Sequence, residues 1–228
     1  MKHPIRWLLG GLVVVLVAVV GFGAWYLFAD DAPPPPTLDA TPQTTTAGGP
    51  ATPDGTWKVA PGDDVYVGYR IKEIFAGDTI KKDAVGRTPK VSGMMLISGN
   101  TVGTANVTAD VRDLKSNRAT RDNYIRNNAL ETASIPEAKF VLAKPITLPG
   151  PLVKGKEVTV DAAGTLTLHN ISHPVTVPLT ARWDGNTIEV AGTAPIALAD
   201  YDMSAPDTGV VKVDDTGSLE LKLTFVPA

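Results

Sequence analysis

From Lys156 to Trp183 apolar and polar residues alternate with a period of two. Val158, Val160 and Ala162 share one face, joined beyond Gly164 by Leu166 and Leu168. On the return, Val175, Val177, Leu179, Ala181 and Trp183 alternate with Thr176, Pro178, Thr180 and Arg182. This spacing predicts two half-buried antiparallel strands. The stretch Asn170 to Pro174 supplies turn-forming residues between them. The same alternation recurs at Val65, Val67, Tyr69 and Ile71, and Thr88 to Ile97 reads as a second strand region with a break at Gly93. It continues at Ala105, Val107, Ala109 and Val111, over Lys139 to Leu142, over Thr187 to Leu198, and at Leu219, Leu221, Leu223 and Phe225.

Punctuation separates these strands. Ile74 to Arg87 and Ala199 to Gly209 read as loops, Asp184-Gly185-Asn186 as a tight turn, and Asp214 to Gly217 as a turn. Between Ser116 and Thr132 the alternation stops. Tyr124, Ile125, Ala129 and Leu130 fall loosely at helical spacing, with Ser116 as the expected N-cap. About eight or nine strands and one helical excursion predict an all-β barrel or sandwich over residues 55–228.

The first quarter of the chain has a different character. Trp7 to Phe28 contains no charge, and at about 1.5 Å per residue it makes a helix of roughly 33 Å, enough to cross a bilayer. Lys2 and Arg6 precede it and Asp30 and Asp31 follow, which places residues 1–6 in the cytoplasm and the remainder outside. Its length and bulky aromatic end favour an uncleaved membrane anchor, residues 7–28, over a signal peptide. Residues 29–54 are rich in Pro and Thr and poor in large apolar side chains, the composition of a disordered linker. Fully extended, that linker would reach roughly 80 Å.

Composition removes several chemistries. With 0 cysteines, disulfides and Cys-based metal or redox sites are excluded. A net charge of −3, with no basic run after the anchor, argues against nucleic acid. Gly150 to Glu157 begins like a phosphate-binding loop, but Glu157 replaces the required Ser or Thr and a strand follows where a helix is needed. His169 and His173 flank a turn without a third ligand nearby in sequence, so no metal site is expected. No nucleophile elbow is present, and the carboxylates lie mostly in turns or on wet strand faces, so no catalytic residues are assigned. Arg118, Arg121 and Arg126 in the helical excursion fit a solvated helix paired with Asp122 and Glu131. The sharper, second reading is recognition of an anionic head group by guanidinium.

Four blocks carry a family resemblance. Trp57-Lys58-Val59 with Val65 to Ile71 is similar to the first strand of the YceI-like family. Arg121-Asp122 with Ile135-Pro136-Glu137-Ala138-Lys139-Phe140 resembles its "RD … yP … F" segment. Gly164 to Asn170 with His173-Pro174-Val175 resembles its central hairpin, and Tyr201 to Pro206 its closing segment. Asn170 stands where that family usually has Gly, and Ile135 where Tyr is common; both concern turn details.

The resemblance implies an extended lipocalin-like antiparallel β-barrel of about eight strands, holding a long apolar ligand, typically a polyisoprenoid lipid. Periodicity alone fits a barrel filled by side chains as well as one holding a ligand. The expected lining comprises Val67, Tyr69, Ile71, Val107, Leu166, Leu168, Val177, Leu179, Leu221 and Leu223, with Arg118, Arg121 and Arg126 as head-group candidates. The implied function is a membrane-tethered, extracytoplasmic lipid-binding protein without a cofactor, its partner membrane lipid and its oligomeric state, including a homodimer, open. The alternative is an envelope interaction domain whose filled barrel docks a protein.

Overall fold

The computed structural model describes residues 32–39, 50 and 52–228. The expected N-terminal tail, 1–6, and anchor, 7–28, lie outside the described residues. Among the described residues, no helix is long and apolar enough to cross a membrane.

Among the described residues, eleven strands form one antiparallel sheet: β1 (Gly55–Val59), β2 (Tyr66–Phe75), β3 (Lys82–Thr88), β4 (Val91–Ser98), β5 (Thr101–Asp110), β6 (Glu137–Leu142), β7 (Ile146–Thr147), β8 (Glu157–Leu168), β9 (Ile171–Trp183), β10 (Ile188–Ala197) and β11 (Val211–Pro227). Eight of them, β1-β4-β5-β6-β8-β9-β10-β11, make a ring that β1 closes against β11. The 17 residues of β11 outrun β1: Phe225–Pro227 pair with β1, while Val211–Lys222 pair with β2. The β2–β3 hairpin thus carries the wall beyond the ring and lengthens the barrel. The small β7 joins the edge of β5.

Two stretches expected to be irregular are strand. Residues 82–87, the end of the expected loop, belong to β3; its middle residues Ala84, Val85 and Gly86 are all buried, so no alternation betrays it. Asp214–Gly217, expected as a turn, lies inside β11, and a register shift between Val213 and Gly217 marks a bulge. The helical excursion is shorter than expected. One helix, α1 (Ala119–Tyr124), runs into a π-helical turn, Ile125–Ala129. Its N-cap is Arg118, and Ser116 is bound instead to Asp122, whose Oδ1 accepts the Ser116 hydroxyl at 2.6 Å and its backbone N–H at 2.9 Å.

The β8–β9 turn is tighter than expected. His169 and Asn170 both have positive φ, 51° and 60°, as a two-residue hairpin turn demands. Strand β9 therefore starts at Ile171, and Pro174 pairs with Thr165 inside it. Proline is tolerated there because β9 has only one ladder at that height. Pairing with β10 ends at Leu179–Gly192, and the next residue of β9 is Pro178. Into the seam above it fits Tyr201, 1% exposed, from the 3₁₀ turn Leu198–Tyr201. Its carbonyl meets His169 Nδ1 at 3.1 Å and its ring meets the edge of His173.

Two apolar clusters fill the ends of the barrel. One gathers Trp57, Met95, Ile97, Trp183, Ile188, Leu223 and Phe225, and the other Val111, Leu114, Leu130, Leu166, Tyr201 and Met203. Outside the wall, part of the expected disordered linker is placed against the barrel. Arg87 donates to the Pro34 carbonyl at 2.8 Å, Arg182 to the Asp39 carbonyl at 2.6 Å, and Lys222 to the Asp39 carboxylate at 2.5 Å.

Candidate ligand site in the barrel interior

Strand alternation turns every second side chain inward, and these side chains do not fill the space. Among the described residues, the interior holds two voids of about 170 and about 140 Å³. Val67, Ala138 and Leu219 border both, so the two adjoin at a waist made by β2, β6 and β11. The lower void rests on the tryptophan cluster; Trp57 is 1% exposed and ties the start of the barrel down by donating Nε1–H to the Pro53 carbonyl at 2.8 Å. The upper void is roofed by Tyr124, Ile125, Ala129 and Leu130 of the helical excursion and by Leu198, Met203 and Pro206.

All ten expected lining residues border one void or the other. Tyr69, Ile71 and Leu168 face the upper one, Val67 stands at the waist, and Val107, Leu166, Val177, Leu179, Leu221 and Leu223 face the lower one. Met95, Ile97, Phe140, Ile188, Val190 and Phe225 also line the lower void. Their own strands alternate and could have given them. Val111 ends the alternating run of β5 and lines the upper void, whereas Leu114, Met203 and Pro206 sit in loops, where no periodicity reveals them.

The three arginines are engaged by the protein. Arg121 borders the upper void, but its guanidinium forms an ion pair with Glu73 of β2 and donates to Asn117 Oδ1 at 2.7 Å and Ser116 Oγ at 3.1 Å. Arg118 lies over the Phe75 ring, 4.6 Å from its centroid. Arg126 donates to Asn123 Oδ1 at 2.7 Å and to the Leu114 carbonyl at 3.4 Å. The expected partners change accordingly: the carboxylate facing Arg121 belongs to Glu73, and Asp122 serves Ser116. A local helical pairing could not foresee a partner 48 positions away.

One polar group in the upper void lacks a partner. The Tyr69 hydroxyl is buried without a hydrogen bond. Burial pushes its phenol well above the ordinary range, Asp122 and Glu73 add to that shift, and Arg121 and the nearby Ser116 hydroxyl oppose it. The ring is held over Gly86 on β3, where any Cβ would run into it. The site is therefore a long apolar chamber with one orphan hydroxyl and a neutralised ion pair near its roof. Such a chamber suits an elongated hydrocarbon ending in an oxygen.

Residues 57–225 match the YceI-like domain. Among curated proteins, a UPF0312 protein of Pseudomonas syringae pv. tomato is 30% identical over 128 residues, 53% of this chain and 59% of that protein. A UPF0312 protein of Vibrio parahaemolyticus is 31% identical over 105 residues, 43% of this chain and 52% of that protein. The chain thus spans between half and two thirds of these relatives' lengths. Among solved structures, a polyisoprenoid binding domain from Saccharophagus degradans implicated in plant cell wall breakdown aligns with a TM-score of 0.57 at 17% identity, covering 75% of this chain and 98% of that one. Burkholderia cenocepacia BcnA aligns with a TM-score of 0.52 at 20% identity, covering 68% of this chain and 95% of that one. At these identities the likeness establishes the fold.

Proposed function

This chain belongs to the YceI-like domain family, and from that premise and its unfilled interior we propose that it binds a long apolar, polyisoprenoid-like lipid inside the barrel. The observation that carries this is the pair of voids meeting at Val67, Ala138 and Leu219, lined almost wholly by apolar side chains. Each methylene moved from water into such a chamber contributes about 0.8 kcal/mol before the costs of association. The oxygen end of the lipid lies near the Tyr69 hydroxyl under the roof. Because Glu73 neutralises Arg121, a neutral head group fits better than a phosphorylated one.

Uptake from a bilayer is supported at the roofed end. Among the described residues, the two most exposed large apolar side chains, Ile80 at 73% and Val210 at 67%, lie in neighbouring turns joined by the Ala76 N–H donating to the Val210 carbonyl. With residues 7–28 as an anchor and the barrel outside the cytoplasm, the protein would sequester or carry lipid beside the membrane, as a binding protein and not a catalyst. The test is direct. Full-length chain is isolated from bacterial membranes in mild detergent, and its native mass spectrum and lipid extract are analysed. A stoichiometric long-chain isoprenoid is expected; a chain that arrives empty and refuses prenyl lipids refutes the proposal.

A second reading has one observation of its own. Met94 and Val141 are exposed and align through Asn106 across β4, β5 and β6, with exposed Leu96 beside them. That outer patch suits a protein partner, and a lipid-free barrel that pulls down a protein through it would favour the interaction-domain alternative.

A further inference from the structure

The outer wall already holds a segment of the chain itself against it. Strands β9, β10, β11, β2 and β3 stand side by side there, and Pro34–Asp39 runs between partners at the two ends, Arg87 of β3 and Arg182 of β9. Five strands at about 4.8 Å spacing span about 19 Å. Six extended residues cover about 16 Å, and the arginine side chains bridge the remainder. Pro34, Pro35 and Pro36 fix the backbone in its extended form beforehand, which reduces the entropy lost on docking.

The donors are held ready by the wall itself. Arg87 also lies 3.2 Å from Glu220 and sits over the Tyr66 ring, 4.0 Å from its centroid. Glu220 is 0% exposed and receives Arg70 Nε at 2.5 Å. Arg182 donates to Glu189 at 2.6 Å with the same nitrogen that reaches the Asp39 carbonyl. At the far end, Asp39 brings the one carboxylate of the segment to Lys222. Carbonyl recognition at both ends and a terminal charge together define what fits: an extended, proline-rich peptide closed by an acidic residue.

We propose that this wall is a docking groove, that Pro34–Asp39 is its occupant, and that docking and release set the distance the barrel ranges from its tether. The last clause rests on the anchor reading of residues 7–28. With Pro34 docked, only residues 29–33 separate Phe28 from the barrel, a reach of about 20 Å at about 3.6 Å per step. With it released, residues 29–54 reach up to about 80 Å. Partly exposed ion pairs are individually weak and screened by salt, so the two states exchange readily.

The chain has 0 cysteines, so a single Thr37→Cys, at an exposed position of the strap, takes a spin label cleanly. In the full-length chain in detergent at low salt, the label is expected to be immobilised. Asp39→Lys, or about 1 M salt, is expected to shorten its correlation time about fivefold, into the fast loop regime. Asp39→Lys combined with Lys222→Glu is expected to immobilise it again. A label equally mobile in the parent and in Asp39→Lys overturns the groove. For the reach, the full chain is placed in nanodiscs, and energy transfer is measured from a dye on Ser98→Cys to a head-group dye. Asp39→Lys is expected to lower the transfer; unchanged transfer despite a freed strap, or a chain that does not co-float with the discs, overturns the tether clause and leaves the groove standing.

Discussion

Glu73 and Arg121 form a buried ion pair that joins β2 to α1 at the upper end of the barrel. The pair fixes the helical roof to the wall and removes the only charge Arg121 brings to the void. Glu73→Gln leaves the guanidinium uncompensated beside the chamber. Its expected effect is a shift of preference toward phosphorylated prenyl lipids over the corresponding alcohols, by about tenfold for one charge-assisted contact. Competition between the two lipids on parent and variant measures it. Arg121→Ala instead leaves a buried carboxylate alone and is expected to cost about 3–5 kcal/mol of stability by denaturant unfolding.

The waist gives a size prediction. Ala138 is the small residue where the two voids meet. Ala138→Trp would occupy that passage and confine a ligand to one void. Bound lipid identified by mass spectrometry is expected to shorten, while overpacking costs about 1–3 kcal/mol. Retention of the parent's full-length lipid would contradict the waist.

Tyr69 predicts behaviour in alkali. Its folded phenol holds its proton more tightly than the unfolded one, because burial disfavours the phenolate. That contribution is fully present below about pH 10 and is lost as pH rises through the folded value. Tyr69→Phe removes a hydroxyl that has no partner, so stability at pH 7 is expected to change by less than about 1 kcal/mol. Above pH 10 the variant is expected to lose less stability than the parent. Binding of a prenyl alcohol, and not of the plain hydrocarbon, is expected to weaken.

Acid acts on the outer wall. Burial works to raise the Asp83 pKa, but hydrogen bonds and charge from Lys72 and Arg70 outweigh it and hold the carboxyl below its ordinary range. Its contribution is present above about pH 4 and is lost as pH falls through the folded value. Unfolding midpoints measured from pH 6 to pH 2 are expected to fall less steeply for Asp83→Asn than for the parent.

What the sequence made legible follows from geometry. Residues on strands with one wet face, such as Val177 opposite Thr176 or Leu221 beside Lys222, announce their direction, and every expected lining residue faces a void. Ala84 and Val85 gave no such sign because both faces of β3 are buried at that point. The partner of Arg121 was hidden for another reason: register between β2 and α1 is a property of the closed barrel and of no local spacing. Periodicity also cannot distinguish a packed interior from a hollow one, since Leu219 is apolar in either case.

The seam between β9 and β10 has a consequence for assembly. A fully girdled barrel offers no strand edge to its neighbours, whereas this wall leaves Ile171–Pro178 with a ladder on one side only. Tyr201 and its 3₁₀ turn stand guard there, and the prolines at 174 and 178 withhold two backbone donors from any intruding strand. Loosening that guard would expose the β9 edge as a template for strand exchange between copies, so the turn Leu198–Tyr201 closes an edge as well as shaping the chamber.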